Sequence, residues 1–255
     1  MRTIPLAVMC IVFSFIGCHS PHLVPNLLPS PALEQQGDIQ LSGSAGTNSY
    51  DAQLAVSPVS HLIIGGSGSW SFGKKQETSH GEAEETHSHR IYEILAGYYF
   101  YPFKLHSNNF KIELLSGYGF GTVKGSTPSG TYDILGFPNA IYNVDANYRQ
   151  YFAQCNALIS ASLESTGDSK AEGSALEYGS LIRLSKTILS DYKKNGTSLG
   201  FPNSETNFLQ LAALGRVGTR LGVQAQTGWL FIISEPSYKL SYSSFYIAAG
   251  LYLRL

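Results

Sequence analysis

The sequence predicts an all-β fold: a closed, antiparallel, up-and-down transmembrane β-barrel of about ten strands. Three observations lead there. Apolar and polar residues alternate with period two over most of residues 38–255, which is the signature of strands with two unlike faces. The chain holds 26 Gly, 16 Tyr and 13 Phe but only 14% charged residues, a composition poor in solvating groups and rich in residues that suit a lipid-facing wall. Aromatic residues also gather near the strand ends, as interfacial girdles require.

The elements follow in order. Around residues 38–46, Ile39, Leu41 and Ala45 oppose Gln40, Ser42 and Ser44. Ala52, Leu54 and Val56 oppose Gln53 and Ala55. Leu62, Ile64, Trp70 and Phe72 oppose mostly Gly and Ser. Tyr92, Ile94, Ala96, Tyr98 and Phe100 oppose Glu93, Leu95, Gly97 and Tyr99. Phe110, Ile112, Leu114, Tyr118 and Phe120 oppose Lys111, Glu113 and glycines. The second half repeats the pattern: Tyr151, Ala153, Cys155, Ala157 and Ile159 against Gln150, Gln154 and Asn156, then Leu176, Tyr178, Ile182 and Leu184 against Glu177, Gly179 and Arg183. Leu209, Leu211 and Ala213 oppose Gln210 and Arg216, and Leu221, Val223, Ala225, Trp229 and Phe231 oppose Gly222, Gln224, Gln226 and Gly228. The last strand sets Phe245, Ile247, Ala249, Leu251, Leu253 and Leu255 against Tyr246, Gly250, Tyr252 and Arg254. Segments 57–61, 102–109, 164–172 and 216–220 read as short turns on one rim, and 73–90, 124–147 and 187–206 as long loops on the other. With an even strand count, both ends of the barrel domain return to the short-turn side, the periplasmic side of an outer membrane.

The N-terminus has its own pattern. Arg2 precedes an apolar run over residues 4–16, the length of a signal-peptide core and too short to span a bilayer. The run ends in Phe15-Ile16-Gly17-Cys18, which resembles a bacterial lipobox. The resemblance implies a signal peptide at 1–17, cleavage before Cys18, and acylation of Cys18, palmitate included. It also implies handling by the lipoprotein-sorting machinery and delivery to the cell outer membrane. Residues 18–37 are rich in Pro and Leu and read as an extended tether whose leucines lie along a protein or membrane surface. Residues 38–255 form the barrel domain. Its ending, 250–255 (GLYLRL), resembles the C-terminal signal read by the barrel-assembly machinery. Taken together, the chain resembles the lipid-anchored outer-membrane β-barrel proteins of Bacteroidetes-type bacteria.

Composition and motifs narrow the function classes. A net charge of −1 argues against nucleic acid as a partner. Once Cys10 leaves and Cys18 is acylated, Cys155 has no partner for a disulfide. The polar face carries Glu93, Lys111, Glu113, Glu177, Arg183, Arg216 and Arg254, and charges inside a narrow lumen need partners, so these residues read as an ion-pair and hydrogen-bond network plugging the barrel. Residues 80–89 (HGEAEETHSH) sit in a predicted outer loop, where His80, His87 and His89 form a candidate Zn²⁺ set. The His-Ser pair in residues 105–110 falls in a turn with no acid beside it, and neither a GxSxG motif nor a phosphate loop occurs. The expected function is a non-enzymatic outer-membrane lipoprotein, structural or presenting binding loops, without a cofactor and with outer-membrane lipid as its surroundings. A narrow, porin-like path for small solutes and a lipid-anchored soluble periplasmic β domain are the alternatives.

Overall fold

The computed structural model describes residues 26–47, 49–71, 88–105, 108–128, 141–162, 175–194, 196–198, 204–234 and 245–255. Every regular element among them is a strand: β1 (Ile39–Gly46), β2 (Tyr50–Val56), β3 (Leu62–Ser71), β4 (Ser88–Leu105), β5 (Asn108–Pro128), β6 (Ile141–Ser162), β7 (Ala175–Lys194), β8 (Thr197–Ser198), β9 (Ser204–Gly218), β10 (Leu221–Ile232) and β11 (Phe245–Arg254). Apart from β8 and β9, each strand pairs antiparallel with its neighbours in sequence. Two further pairings close the ring, β1 with β11 and β7 with β9, while the two-residue β8 only extends the tip of β7. The result is a ten-stranded closed up-and-down barrel with no free edge, so the wall's backbone N–H and C=O groups are satisfied within the sheet.

Closure is tight where the chain ends meet. Ile39 N donates to Leu255 O at 3.1 Å, and Leu255 N donates back to Ile39 O at 2.8 Å. Short connections cluster at this end, which we call the turn rim. Only Thr219 and Arg220 separate β9 from β10, and Gly218 takes φ 136° there, a conformation that L side chains rarely adopt. The opposite end, the loop rim, carries connections 72–87, 129–140 and 233–244.

The expected faces hold strand by strand. Ile39 and Leu41 are exposed while Gln40 and Ser42 are buried; Ile94 is exposed while Glu93 and Leu95 are buried; Ile182 and Leu184 are exposed while Arg183 is buried. In a closed barrel of this width, "buried" means lumen-facing and "exposed" means outward.

Strand lengths and connections differ from expectation. β5 and β6 remain paired from Lys124↔Asp145 to Pro128↔Ile141, and β7 continues to Lys194, so much of 124–147 and 187–206 is wall and not loop. These polar residues keep their ladder hydrogen bonds even where the apolar alternation fades. β4 likewise runs through Pro102 to Leu105, with a register irregularity between Phe100 and Phe103 that accommodates a residue lacking an N–H. The contrast between rims is also weaker than the sequence suggested. The 47–49 connection at the loop rim is short, and 163–174 at the turn rim is as long as 129–140.

Candidate functional site: a lumen filled by the N-terminal segment

The lumen side chains fall into two ion-pair sets, each internally neutral. In the first, Arg183 Nη1 lies 2.8 Å from Glu93 Oε1 and Nη2 lies 3.3 Å from Oε2, a two-pronged pair. Arg183 Nε also donates to Gln154 Oε1 at 3.0 Å, and the guanidinium stacks 3.9 Å above the Phe152 ring centroid. Gly117 makes this possible, because a Cβ there would overlap that ring. In the second set, Lys111 lies 2.8 Å from Glu113 and 3.8 Å from Glu177, and Arg216 pairs with Glu177. Ser160 donates to Glu177 at 2.9 Å and Asn156 to Glu113 at 2.8 Å. Arg254 stands apart at the turn rim, 2.6 Å from Glu34. The seven charges anticipated from the polar face thus fall into three ion-paired groups, and hydrogen bonds link the first two: Gln154, which accepts from Arg183, donates to Asn156 Oδ1 at 2.8 Å, and Asn156 donates to Glu113.

A partner invisible to strand periodicity sits among them. Residues 26–33 are all buried and have no regular secondary structure; they run through the lumen. This corrects the expectation that the leucines of the Pro/Leu-rich segment lie along a surface: Leu27, Leu28 and Leu33 are 5%, 1% and 1% exposed. The lumen side chains hold this strap chiefly by its carbonyls. Lys111 Nζ donates to Pro31 O at 3.2 Å, Gln154 and Asn156 to Pro29 O at 2.6 and 3.0 Å, and Arg216 to Ser30 O at 2.5 Å. Gln210 donates to Asn26 O at 2.8 Å, and Arg254 to Ala32 O at 3.3 Å. Gln226 makes a reciprocal pair with Leu28, accepting from its N–H at 3.0 Å and donating to its C=O at 3.1 Å. Gln40 accepts from Ala32 N, and Asn26 donates to Glu93 at 3.1 Å. The prolines now have a physical reason. A lumen rich in Lys, Arg, Gln and Asn has donors to spare, and Pro29 and Pro31 add carbonyls without N–H groups that would need acceptors.

Apolar packing completes the filling. Leu33 packs with Ala55, Ile63, Leu95, Tyr99, Leu115 and Phe152. Leu27 and Leu28 pack with Leu158, Leu181, Ala212, Leu214, Tyr246 and Ala248. Toward the loop rim a third cluster, built on Ile91, Tyr148, Leu189, Phe208 and Leu230, extends from β4 round to β10.

The outer wall is chemically the opposite. Among the strand residues whose side chains are described, outward-pointing Asp, Glu, Lys and Arg occur only toward the loop rim: Arg90, Lys124, Asp145, Arg149, Lys186 and Glu205, with Asp191 and Lys193 beyond them. Below them runs a ribbon of rings, with Trp70–Tyr92, Tyr92–Phe120 and Tyr118–Tyr151 centroids 6.0, 5.8 and 5.1 Å apart. A second ring group, Tyr98, Phe100, Phe103 and Phe110, lies toward the turn rim, with Phe103 and Phe110 stacked at 4.8 Å. On β5, Phe110 and Phe120 are ten residues apart, which at about 3.3 Å per residue and a tilt of about 40° is roughly 25 Å along the axis.

Of the three histidines in the candidate Zn²⁺ set, His89 alone falls among the described residues. His89 stands in β4, not in a loop; it is 2% exposed, and its Nε2 lies 3.1 Å from Ser69 Oγ. His80 and His87 lie outside the described residues, as does Cys18. Among the described residues no group of three His, Cys, Asp or Glu side chains could hold a metal ion. Ser69 also hydrogen-bonds Asp51, so serine sits between acid and imidazole. A nucleophilic triad places the imidazole in the middle, so this order offers no relay toward Ser69 Oγ. No family model matches the chain, and no curated protein matches its sequence.

Proposed function

We propose that this chain is a non-enzymatic outer-membrane β-barrel lipoprotein whose lumen is plugged by its own N-terminal segment, and whose role is structural or exercised by the loop-rim connections. The carrying observation is the outer wall. Between the two aromatic groups its described positions hold no Asp, Glu, Lys, Arg or His side chain, and the exposed set there includes Leu41, Leu54, Ile94, Leu114, Ile182, Leu184, Ile247 and Leu251. A soluble monomer rarely exposes so continuous an apolar surface, whereas a bilayer requires a band of about 25 Å. The lipid on Cys18, the sorting and assembly partners and the periplasmic placement of the turn rim belong to the same reading, supported by the residues at 15–18 and 250–255. The filled lumen speaks against a solute path, and closure of a single sheet without a second layer over its apolar face speaks against a soluble β domain.

Cys155 provides the test, since it is exposed on the outer wall between Ala153 and Ala157. Protein beginning at His19 has Cys155 as its single thiol and is to be refolded into phosphatidylcholine vesicles. Pyrenylmaleimide, which partitions into lipid, should react, and a polyethylene-glycol maleimide should not. Reaction with the water-bound reagent at the rate of a free thiol would place this wall in water and sink the membrane reading.

A further inference from the structure

The strap has a direction. Glu34 pairs with Arg254 at the turn rim, Ser30 lies at Arg216, and Asn26 reaches Glu93 and Gln210 in mid-lumen. Read backwards from β1, the chain climbs away from the rim where β1 begins. We propose that the N-terminal segment crosses the barrel completely, entering at the turn rim and leaving by the loop rim. On the lipoprotein reading of Cys18, its acyl chains then engage the leaflet on the side opposite the C-terminus. The crossing rests on the strap itself; only the leaflet assignment rests on the proposed function.

Space and length both favour the crossing. A return to the turn rim needs a second pass of chain beside the first. The two cavities along residues 27–31 hold only about 10 Å³ each, room for one water at most. Ahead of Asn26 the way differs by side. The apolar cluster closes the lumen along β4 to β10, but β2 and β3 present Asp51, Ser67, Ser69 and Ser71, small polar groups, and Leu27 N already donates to Asp51 on that side. Glu93, which binds Asn26, is five residues from the described end of β4 at Ser88, or about 13 Å along the axis at a 40° tilt. The way back is longer: Tyr246, which shares Gln210 with Asn26, is eight residues from Arg254, or about 20 Å. Cys18 precedes Asn26 by eight residues, a reach of at most about 28 Å, enough to clear the loop rim with several residues to spare.

Two measurements test the crossing in the full-length chain carrying Cys155→Ala. Ser20→Cys reports the segment and Val59→Cys, 51% exposed in the 57–61 turn, reports the turn rim. On cells, a membrane-impermeant maleimide should label the two sites with opposite sidedness: one on intact cells, the other only after permeabilisation. Equal sidedness overturns the proposal. Because each site is scored against the other, an inverted barrel leaves it standing. In purified protein, spin labels at both positions should lie more than about 25 Å apart, the height of the apolar band. A shorter distance overturns the crossing whether or not the barrel is found in membranes, whereas a long distance in a protein recovered only from the soluble fraction keeps the crossing and removes the membrane reading.

Discussion

Replacing Glu93 by Gln leaves Arg183 charged in the lumen, and both partners are within 2% of complete burial. Removing one member of a buried pair costs about 3–5 kcal/mol, because the survivor stays desolvated. Arg183 keeps its bond to Gln154 and its place over Phe152, together about 1–2 kcal/mol. The net expectation is therefore about 1–4 kcal/mol of lost stability. The second substitution discriminates. Adding Arg183→Met removes the stranded cation and fills its volume beside Phe152, so most of the loss should return. Adding Arg216→Met instead restores the same net charge but leaves Arg183 unpaired in one set and the other set one cation short, with Glu177 keeping only Lys111 at 3.8 Å, so the loss should grow beyond that of the single variant. Urea unfolding of vesicle-inserted protein, followed by the fluorescence of Trp70 and Trp229, measures all four forms; both tryptophans sit on the outer wall, away from the substitutions. Equal recovery in the two double variants would refute the division into separate neutral sets and make net lumen charge the controlling quantity.

Leu28→Ala tests the strap as core. Its side chain is 1% exposed against Leu158, Leu181 and Leu214, and truncation should cost about 2–5 kcal/mol in the same urea assay; a loss below 0.5 kcal/mol (roughly the effect of a surface change) would mean that the segment is not held in the lumen. Ile182→Lys and Gln53→Lys compare the two faces. The first puts an ammonium on the outer wall midway between Tyr178 and Lys186 and should cost about 2–4 kcal/mol, while the second faces the lumen and should cost much less; equal effects on heat-modifiable gel mobility would mean that the faces are misassigned.

The faces were legible because a strand's period is two and each apolar residue fixes the parity of its neighbours. Glu93 between Tyr92 and Ile94, or Arg183 between Ile182 and Leu184, could point only inward once the wall was recognised. Strand ends were less legible. Residues 141–149, IYNVDANYR, remain paired with β5, but they lie beyond the apolar band of the outer wall, so the alternation fades while the ladder continues. His89 was lost for the same reason: it shares parity with Ile91 and Glu93, and extending β4 by two residues would have placed it inside. The strap left no periodic trace, since it is no strand, and its prolines matched a linker equally well.

A trace of the strap did exist, in the lumen and not in the segment itself. Gln40, Gln53, Gln150, Gln154, Gln210, Gln224 and Gln226 all fall on inward parity. Carboxylates could have been satisfied by the cations alone, leaving amide side chains without evident use. An amide carries both a donor and an acceptor, which suits a peptide backbone, as the reciprocal Gln226–Leu28 pair shows. A ring of inward glutamines in a narrow barrel therefore signals a polypeptide inside more specifically than the charges do. Ion pairs can close on one another, as Arg183 and Glu93 do, but Gln154, Asn156 and Gln210 each spend a donor on a carbonyl of the strap. Without the strap those donors would need water, and Leu27, Leu28 and Leu33 would leave apolar walls facing it. The outer wall can thus be read alone, as a continuous apolar surface, but the inner wall is chemically complete only with residues 26–33 in place.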